Sequence, residues 1–406
     1  MKARFYVHIT MYLIAIAMML TFASGCWNRR EIETLGFVMA LGVDRAQSGK
    51  IQVTAHIAKP QAIGGGDQGG NQEKPFWIST AEGDTVFDAF RKLGSISPKR
   101  PYLPHNRFYL FGEDLLREIG IIPVIDFFDR DAEPRLAAQV VVAKGGTARE
   151  LLQAEFSGMA QPSEGAEAII LYLRSAKATV TEATLKNFLD RMEAEGIEPI
   201  AMSAELIPLE PDISIEGELT RKEIKSTARI GGTAVFKGNY LAGWLDDLET
   251  RGLNWIFSKV KNTLVIFPQP ESESKLATVE IIRSTGKFKV EMQGGNITGI
   301  VEIDAVGNLG SVEEPIDLIK QPELWIQLEK GLERAIEDEI IQTVAKLQLM
   351  GADAIGFGQE IFRRNPKEWA KLKDRWPETF ADMEISVSVK ANLRTTGMII
   401  KSVENK

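Results

Sequence analysis

The chain of 406 residues has one cysteine, three histidines and only one long uncharged apolar segment, which lies at its N-terminus. A single cysteine excludes an intrachain disulfide and a cysteine-based zinc site, and three widely spaced histidines leave little material for a histidine-ligated metal. The 56 acidic residues outnumber the 48 basic ones, which argues against a nucleic-acid binder because phosphate neutralisation needs a basic face. The hydrophobic share of 44% is typical of a globular protein, and the length suits two or three domains.

Motifs of catalysis and nucleotide binding are also scarce. The sequence contains no GxxxxGK[ST] phosphate loop and no GxSxG nucleophile motif. Gly64, Gly66 and Gly69 have the GxGxxG spacing, but a strand is predicted after them, not the helix that a phosphate site needs, so we interpret them as a flexible loop. His56 and His105 have no serine or aspartate pattern beside them and are predicted to be structural. We therefore expect no enzymatic activity, no cofactor and no metal.

The N-terminus has the pattern of an export signal. Lys2 and Arg4 precede an uncharged stretch, residues 9–22, which as a helix would rise only ~21 Å and is too short for a ~30 Å hydrocarbon core. The segment Ala23-Ser24-Gly25-Cys26 resembles a bacterial lipobox, with Ala23 where leucine is usual. We predict a signal peptide over residues 1–25 that is removed and a diacylglycerol lipid on Cys26. The alternative is a plain signal peptide followed by an incidental free thiol.

The remaining pattern predicts an α+β protein of several domains, with mixed or antiparallel sheets flanked by helices. A helix is expected over residues 84–93 with Asp84 as its cap. A longer helix is expected from Pro322 to just before Gly351, because apolar residues recur there at spacings of three and four. Proline-rich acidic stretches near 208–223 and 268–274 are interpreted as boundaries. The predicted divisions are a tether over 26–36, an N-terminal α+β domain over 37–210, a middle region over 211–270 and a C-terminal α+β domain over 271–400.

A dense group of aromatic residues follows the long helix. Core packing is the first interpretation of such a group. The alternative is a contact surface for a partner, because tryptophan and arginine dominate such surfaces. The candidate contact residues are Trp369, Arg375, Trp376 and Phe380.

Three blocks of the sequence resemble the Ger(x)C family of spore germination lipoproteins. The first is CWNRREIE from Cys26, followed by Leu35-Gly36 and by LGVD ending at Asp44. The others are GTAVFKGNYLAGWLDDLETRGLNW from Gly232 to Trp255 and GFGQEIFRRNPKEWAKLKDRWPETF from Gly356 to Phe380, with a Thr396-Gly397 ending. The blocks span nearly the whole chain after the predicted signal peptide, in order.

The resemblance implies the C subunit of a nutrient germinant receptor in endospore-forming bacteria. It implies an α+β protein with three domains around distorted sheets and no known enzymatic activity. The expected partners are the two integral membrane subunits of the receptor, A and B. The expected location is the outer face of the cytoplasmic membrane, which is the inner membrane of the spore. A lipid-anchored solute-binding protein of a transporter is the alternative, and it would need two similar lobes around a cleft; an envelope hydrolase is disfavoured because no nucleophile constellation is found.

Overall fold

The computed structural model describes residues 2–23, 31–59, 75–154, 162–208, 226–270, 272–314, 318 and 320–394. Within these ranges the strands form two sheets, each covered by helices; we call these units the first lobe and the second lobe. Helix α1, Lys2–Ala23, precedes both lobes. None of the described helices combines the length and the apolar character needed to span a membrane. The lipidation site Cys26 and the glycine-rich loop around Gly66 lie outside the described residues.

The first lobe contains a sheet of nine strands among the described residues. The strands are β1 Leu35–Arg45, β2 Ile51–Ala58, β3 Phe76–Gly83, β4 Arg100–Tyr102, β5 Phe108–Gly112, β6 Gln139–Ala143, β7 Ile200–Pro208, β8 Ser226–Lys237 and β9 Tyr240–Leu245. Their order is β3-β2-β1-β5-β6-β7-β8-β9, with β4 beside the start of β1. The four strands β1, β5, β6 and β7 run parallel, and antiparallel strands flank them on both sides.

The helices of the first lobe are α2 Val86–Ile96, α3 Glu113–Glu118, α4 Ile122–Arg130, α5 Ala148–Gln153, α6 Pro162–Tyr172 and α7 Leu185–Glu193. The prediction of Asp84 as the cap of α2 is wrong. Thr85 is the N-cap, and its hydroxyl accepts a hydrogen bond from the backbone N–H of Asp88. Asp84 instead donates its own N–H to the Asp88 carboxylate. Both residues suit a cap, and the side chain that reaches the third helical N–H decides between them.

The second lobe is built on β10 Thr263–Gln269, β11 Ser272–Gln293, β12 Asn296–Val312 and β13 Glu384–Leu393. Its helices are α8 Asp247–Ile256, α9 Glu323–Met350, α10 Phe357–Arg364, α11 Pro366–Leu372 and α12 Trp376–Asp382. The sheet order is β10-β11-β12-β13, antiparallel except for the final parallel pair. Strands β11 and β12 form a hairpin that turns at Gly294 and Gly295, whose φ angles are 60° and 90°. Two positive φ angles are what a tight hairpin turn requires.

The long helix α9 confirms its prediction. It begins after Pro322 and ends at Gly351, which has a left-handed φ of 58° and donates its N–H to the carbonyl groups of the last turn. This is the conformation that glycine adopts without strain at a helix end. The apolar stripe of α9 is buried in the second core at Leu324, Leu328, Leu332, Ile336, Ile340, Val344 and Leu347.

The segment between the predicted boundaries near 208–223 and 268–274 contributes strands to both sheets. Strands β8 and β9 complete the first sheet, whereas β10 is the edge strand of the second. Each sheet has its own core of buried apolar side chains. The α+β class with mixed sheets flanked by helices is therefore confirmed, and the exact domain limits stay a prediction.

Candidate functional site

The connection from α7 to β7 joins the two lobes. The carbonyl of Gly196 accepts a hydrogen bond from the N–H of Gln359 at 2.8 Å, and the N–H of Glu198 donates to the carbonyl of Asp353 at 2.9 Å. Gly196 has a φ of 74°, and a Cβ at this position would lie 2.4 Å from the backbone of Gly358. Only glycine fits this close approach. The left-handed Gly196, three residues after the end of α7, thus lets the lobes meet.

Arg191 strengthens the same junction. Its Nε donates to the carbonyl of Glu198 at 3.0 Å, and its Nη2 donates to the carbonyl of Ala354 in the second lobe. Burial lowers the pKa of the Arg191 guanidinium to about 10, against the opposing charges of Asp353 and Glu198. The group therefore stays charged at neutral pH and holds carbonyl groups from both lobes.

Asp353 organises the turn that enters α10. Its carboxylate is buried and accepts hydrogen bonds from the backbone N–H groups of Gly356 at 2.7 Å and Gly358 at 2.8 Å, and from the indole of Trp376 at 3.2 Å. Burial raises the pKa of Asp353, and these donors oppose the shift. A buried acceptor with several donors is a structural feature unless a substrate can reach it.

The four predicted partner-contact residues lie next to this turn. Trp369 and Trp376 are each only 5% exposed, and Phe380 is fully buried. The two indoles meet edge to face with centroids 5.5 Å apart, and the Trp369 indole donates to the Glu195 carboxylate at 2.9 Å. Core packing therefore accounts for the three aromatic side chains in this structure, whereas Arg375 is exposed. A partner contact at these positions stays a prediction, and Arg375 is the member that a partner would reach directly.

A surface cleft of about 470 Å³ lies along the junction of the two lobes. Its lining includes Arg191 and Asp353 together with the exposed Lys373 and Asp374. The buried charges of the cleft are already bound to groups of the chain itself. This arrangement can hold two lobes in one relative position.

Two further buried polar groups were missed by the sequence interpretation. Asp44 lies at the end of β1 and accepts hydrogen bonds from the N–H groups of Ala148 at 2.7 Å and Arg149 at 2.9 Å, so it caps α5 from another element. Burial raises the pKa of Asp44, against these two bonds. A charged residue directly after the apolar run of β1 was the available signal.

The second missed group joins α8 to α9. Arg251 and Glu339 form a salt bridge with each side chain 11% exposed. Nε of Arg251 donates to Glu339 at 2.9 Å, and the indole of Trp255 donates to the same carboxylate at 2.9 Å. The pair joins residues 88 positions apart in the chain, so no local pattern could show it.

Among the described residues, the histidines form no metal site with other ligating groups. His105 packs edge to face against Phe37 with centroids 4.9 Å apart. His56 is 1% exposed, and neither ring nitrogen has a hydrogen-bond partner among the described residues. Across the part of the chain that the structure describes, no group of three or more His, Cys, Asp or Glu residues could hold a metal ion.

Burial lowers the pKa of His56 to about 4. The unfolded chain takes up this proton near pH 6.5, whereas the folded chain stays neutral until about pH 4, so stability is lost as the pH falls between these values. Between pH 7 and pH 4 we expect the free energy of unfolding of the wild type to fall about 3 kcal/mol more than that of His56→Phe. Urea titrations at several pH values measure this difference, and parallel curves would contradict it.

The chain is a two-lobed α+β protein. Its buried polar side chains link helices and strands that are far apart in the sequence. Residues 28–206 match the family described as the spore germination protein N-terminal domain. Residues 231–397 match the family described as spore germination B3/GerAC like, C-terminal. These matches cover most of the chain, which therefore belongs to the Ger(x)C family.

Relatives cover almost the full length of the chain. It is 27% identical to spore germination protein KC of Bacillus subtilis (strain 168) over 393 residues, which are 95% of this chain and 96% of that protein. It is 23% identical to spore germination protein B3 of the same organism, covering 94% of this chain and 97% of that protein. The crystal structure of the GerBC protein matches with a TM-score of 0.53 and 17% identity, over 89% of this chain and 99% of that chain. This last likeness supports the fold.

Proposed function

We propose that this chain is the non-catalytic C subunit of a spore nutrient germinant receptor and is needed for nutrient-triggered germination. The observation that carries the proposal is the pair of germination-family matches, in order, over residues 28–206 and 231–397. The buried charges at the lobe junction support a structural role, because Arg191 and Asp353 are bound to groups of the chain itself.

Anchoring in this proposal depends on Cys26. A lipid with two acyl chains holds a protein stably at a membrane, whereas one chain binds only marginally. Cys26 and the start of β1 at Leu35 are nine residues apart, which span at most ~30 Å when extended. Such a tether would keep the lobes close to the outer face of the spore inner membrane and raise their effective concentration near membrane partners.

The partners in this proposal are the integral membrane A and B subunits of the receptor. The exposed Arg375 and the surface around α12 are the proposed contact. The solute-binding alternative needs two similar lobes, but the two sheets have nine and four strands in different orders among the described residues. That inequality favours a receptor subunit over a two-lobed solute trap.

Cys26→Ala tests the anchor. Radiolabelled fatty acid should enter the wild type and the control Ala23→Leu, which restores the usual lipobox residue, and should be absent from Cys26→Ala. Spores that carry Cys26→Ala or lack the chain should respond poorly to nutrients, and the A and B subunits should co-purify with the wild type from spore membranes. Label in Cys26→Ala would refute the anchor, and a normal nutrient response in both strains would refute the role in germination.

A further inference from the structure

Buried polar atoms without partners concentrate at one place in the first lobe. Nine buried side-chain nitrogen and oxygen atoms have no hydrogen-bond partner among the described residues, and five of them line two adjoining cavities. Those five are His56 Nδ1 and Nε2, Ser163 Oγ, Asn106 Oδ1 and Gln139 Oε1. Folded proteins pair nearly all buried polar groups, so this concentration indicates a partner outside the described residues.

The inner cavity has a volume of about 50 Å³ and lies between the sheet and α6. The space exists because the sheet presents the small side chains of Ala40, Ala204 and Ala228 to the helix. His56, 1% exposed, and Ser163, 4% exposed, are the polar groups of an otherwise apolar lining. The lining of this cavity has no charged side chain that could pair with a charged group of a ligand. The ligand group that fits here is therefore neutral, and it both donates and accepts hydrogen bonds.

The outer pocket has a volume of about 440 Å³ and a different chemistry. Its ionisable lining is three arginines, Arg107, Arg135 and Arg174, against Glu167, a formal charge of +2. Arg107 pairs with Glu167, and Arg174 pairs with Glu182 outside the pocket. Arg135 has no ion pair among the described residues. This lining favours an anion, and a carboxylate matches the guanidinium geometry.

The outer pocket contains two amide oxygens that are hydrogen-bond acceptors but have no donor among the described residues. Asn106 is 0% exposed, and its Nδ2 donates to the carbonyl of Phe108, which fixes the orientation of the amide and leaves Oδ1 free to accept. Gln139 Oε1 is the second acceptor. An anion that satisfies this pocket therefore also carries a hydrogen-bond donor, and a hydroxyl group supplies one without adding positive charge beside the arginines.

The two cavities are neighbours. Phe108 and Ile170 line both, so their side chains form the common wall. Helix α6 runs along both, with Ser163 at the inner cavity and Glu167 at the outer pocket. A molecule that meets the groups of both cavities passes between Phe108 and Ile170.

We propose that these cavities form one binding site for a small carboxylate that bears two hydroxyl groups. The carboxylate binds Arg135, the nearer hydroxyl donates to Asn106 or Gln139, and the terminal hydroxyl reaches His56 and Ser163 between Phe108 and Ile170. The lowered pKa of His56 supports this arrangement, because the neutral ring offers one donor and one acceptor. The site is independent of the role proposed above.

The probe is 2,4-dihydroxybutyrate, compared with analogues that each lack one group. The chain, in detergent where it is membrane-bound, is labelled with ¹³C in its histidines, and His56→Phe assigns the His56 resonance. The probe should shift that resonance saturably below about 10 mM, where a ligand with a Kd of ~1 mM is about nine-tenths bound. 2-Hydroxybutyrate, without the terminal hydroxyl, and 1,2,4-butanetriol, without the charge, should each bind roughly tenfold more weakly.

Substitutions test which side chain of the protein binds each group of the probe, and calorimetry measures the affinities. His56→Phe should remove the difference between the probe and 2-hydroxybutyrate, and Arg135→Gln should remove the difference between the probe and butanetriol. Thr54→Val is the matched control: it lies on the same strand as His56, and its hydroxyl is bound to Thr80, so it should keep all three affinities. The proposal is overturned if no probe shifts His56 saturably, which would leave ordered water as the partner, or if butanetriol binds as well as the acid.

Discussion

Replacing Asp353 with alanine is expected to lower the free energy of unfolding by about 4 kcal/mol. The carboxylate is 2% exposed, and its removal leaves the N–H groups of Gly356 and Gly358 and the indole of Trp376 without their acceptor. Each unsatisfied buried donor costs about 1–3 kcal/mol. Urea denaturation followed by tryptophan fluorescence measures the change.

The matched control for this substitution is Asp374→Ala. Asp374 lines the same cleft but is exposed, so its loss should change the free energy of unfolding by less than about 0.5 kcal/mol. Asp353→Asn keeps the shape and one acceptor oxygen, and should fall between the wild type and Asp353→Ala. A loss below about 1 kcal/mol in Asp353→Ala would show that the three donors find other acceptors.

The second large effect is expected at the Arg251–Glu339 pair. Glu339→Ala leaves the buried guanidinium of Arg251 without its charged partner and the indole of Trp255 without its acceptor. Removing one member of a buried pair costs about 3–5 kcal/mol. The double substitution Arg251→Met with Glu339→Leu should cost only about 1–3 kcal/mol, because apolar side chains of similar size replace both charges while the buried indole of Trp255 still loses its acceptor.

An exposed pair serves as the control for this experiment. Lys186 and Asp190 form a salt bridge with side chains 62% and 57% exposed, so Asp190→Ala should cost less than about 0.5 kcal/mol. A double-mutant cycle on Arg251 and Glu339 gives the interaction energy directly. If the double variant is as unstable as Glu339→Ala, the pair is not replaceable by apolar packing and the expectation is wrong.

The two predictions concern groups that hold distant segments together. Arg191 and the turn at Asp353 join the lobes, whereas Arg251 and Glu339 join α8 to α9 within the second lobe. Arg251 and Trp255 lie in the second family-like block, and Trp369 and Trp376 in the third. The structure gives each of these residues a partner inside the chain, so folding accounts for their presence in the blocks.

Local features of the fold were predictable because their causes are local. Helix α9 follows from apolar residues at spacings of three and four, with Pro322 before it and Gly351 after it. Strand β13, Glu384–Leu393, also has residue types that suit a strand. The predicted N-cap of α2 was wrong by one residue because Asp84 and Thr85 both suit the position.

Residue order over short spans was enough to predict the α+β class, the long helix and the family to which the chain belongs. The tertiary structure alone decided which charges are buried and what fills the core. Asp44 meets Ala148 and Glu195 meets Trp369 across separations of 104 and 174 residues, and the cavities beneath α6 arise only when strands far apart in the chain lie side by side. Such contacts depend on packing in three dimensions, which no short-range pattern records.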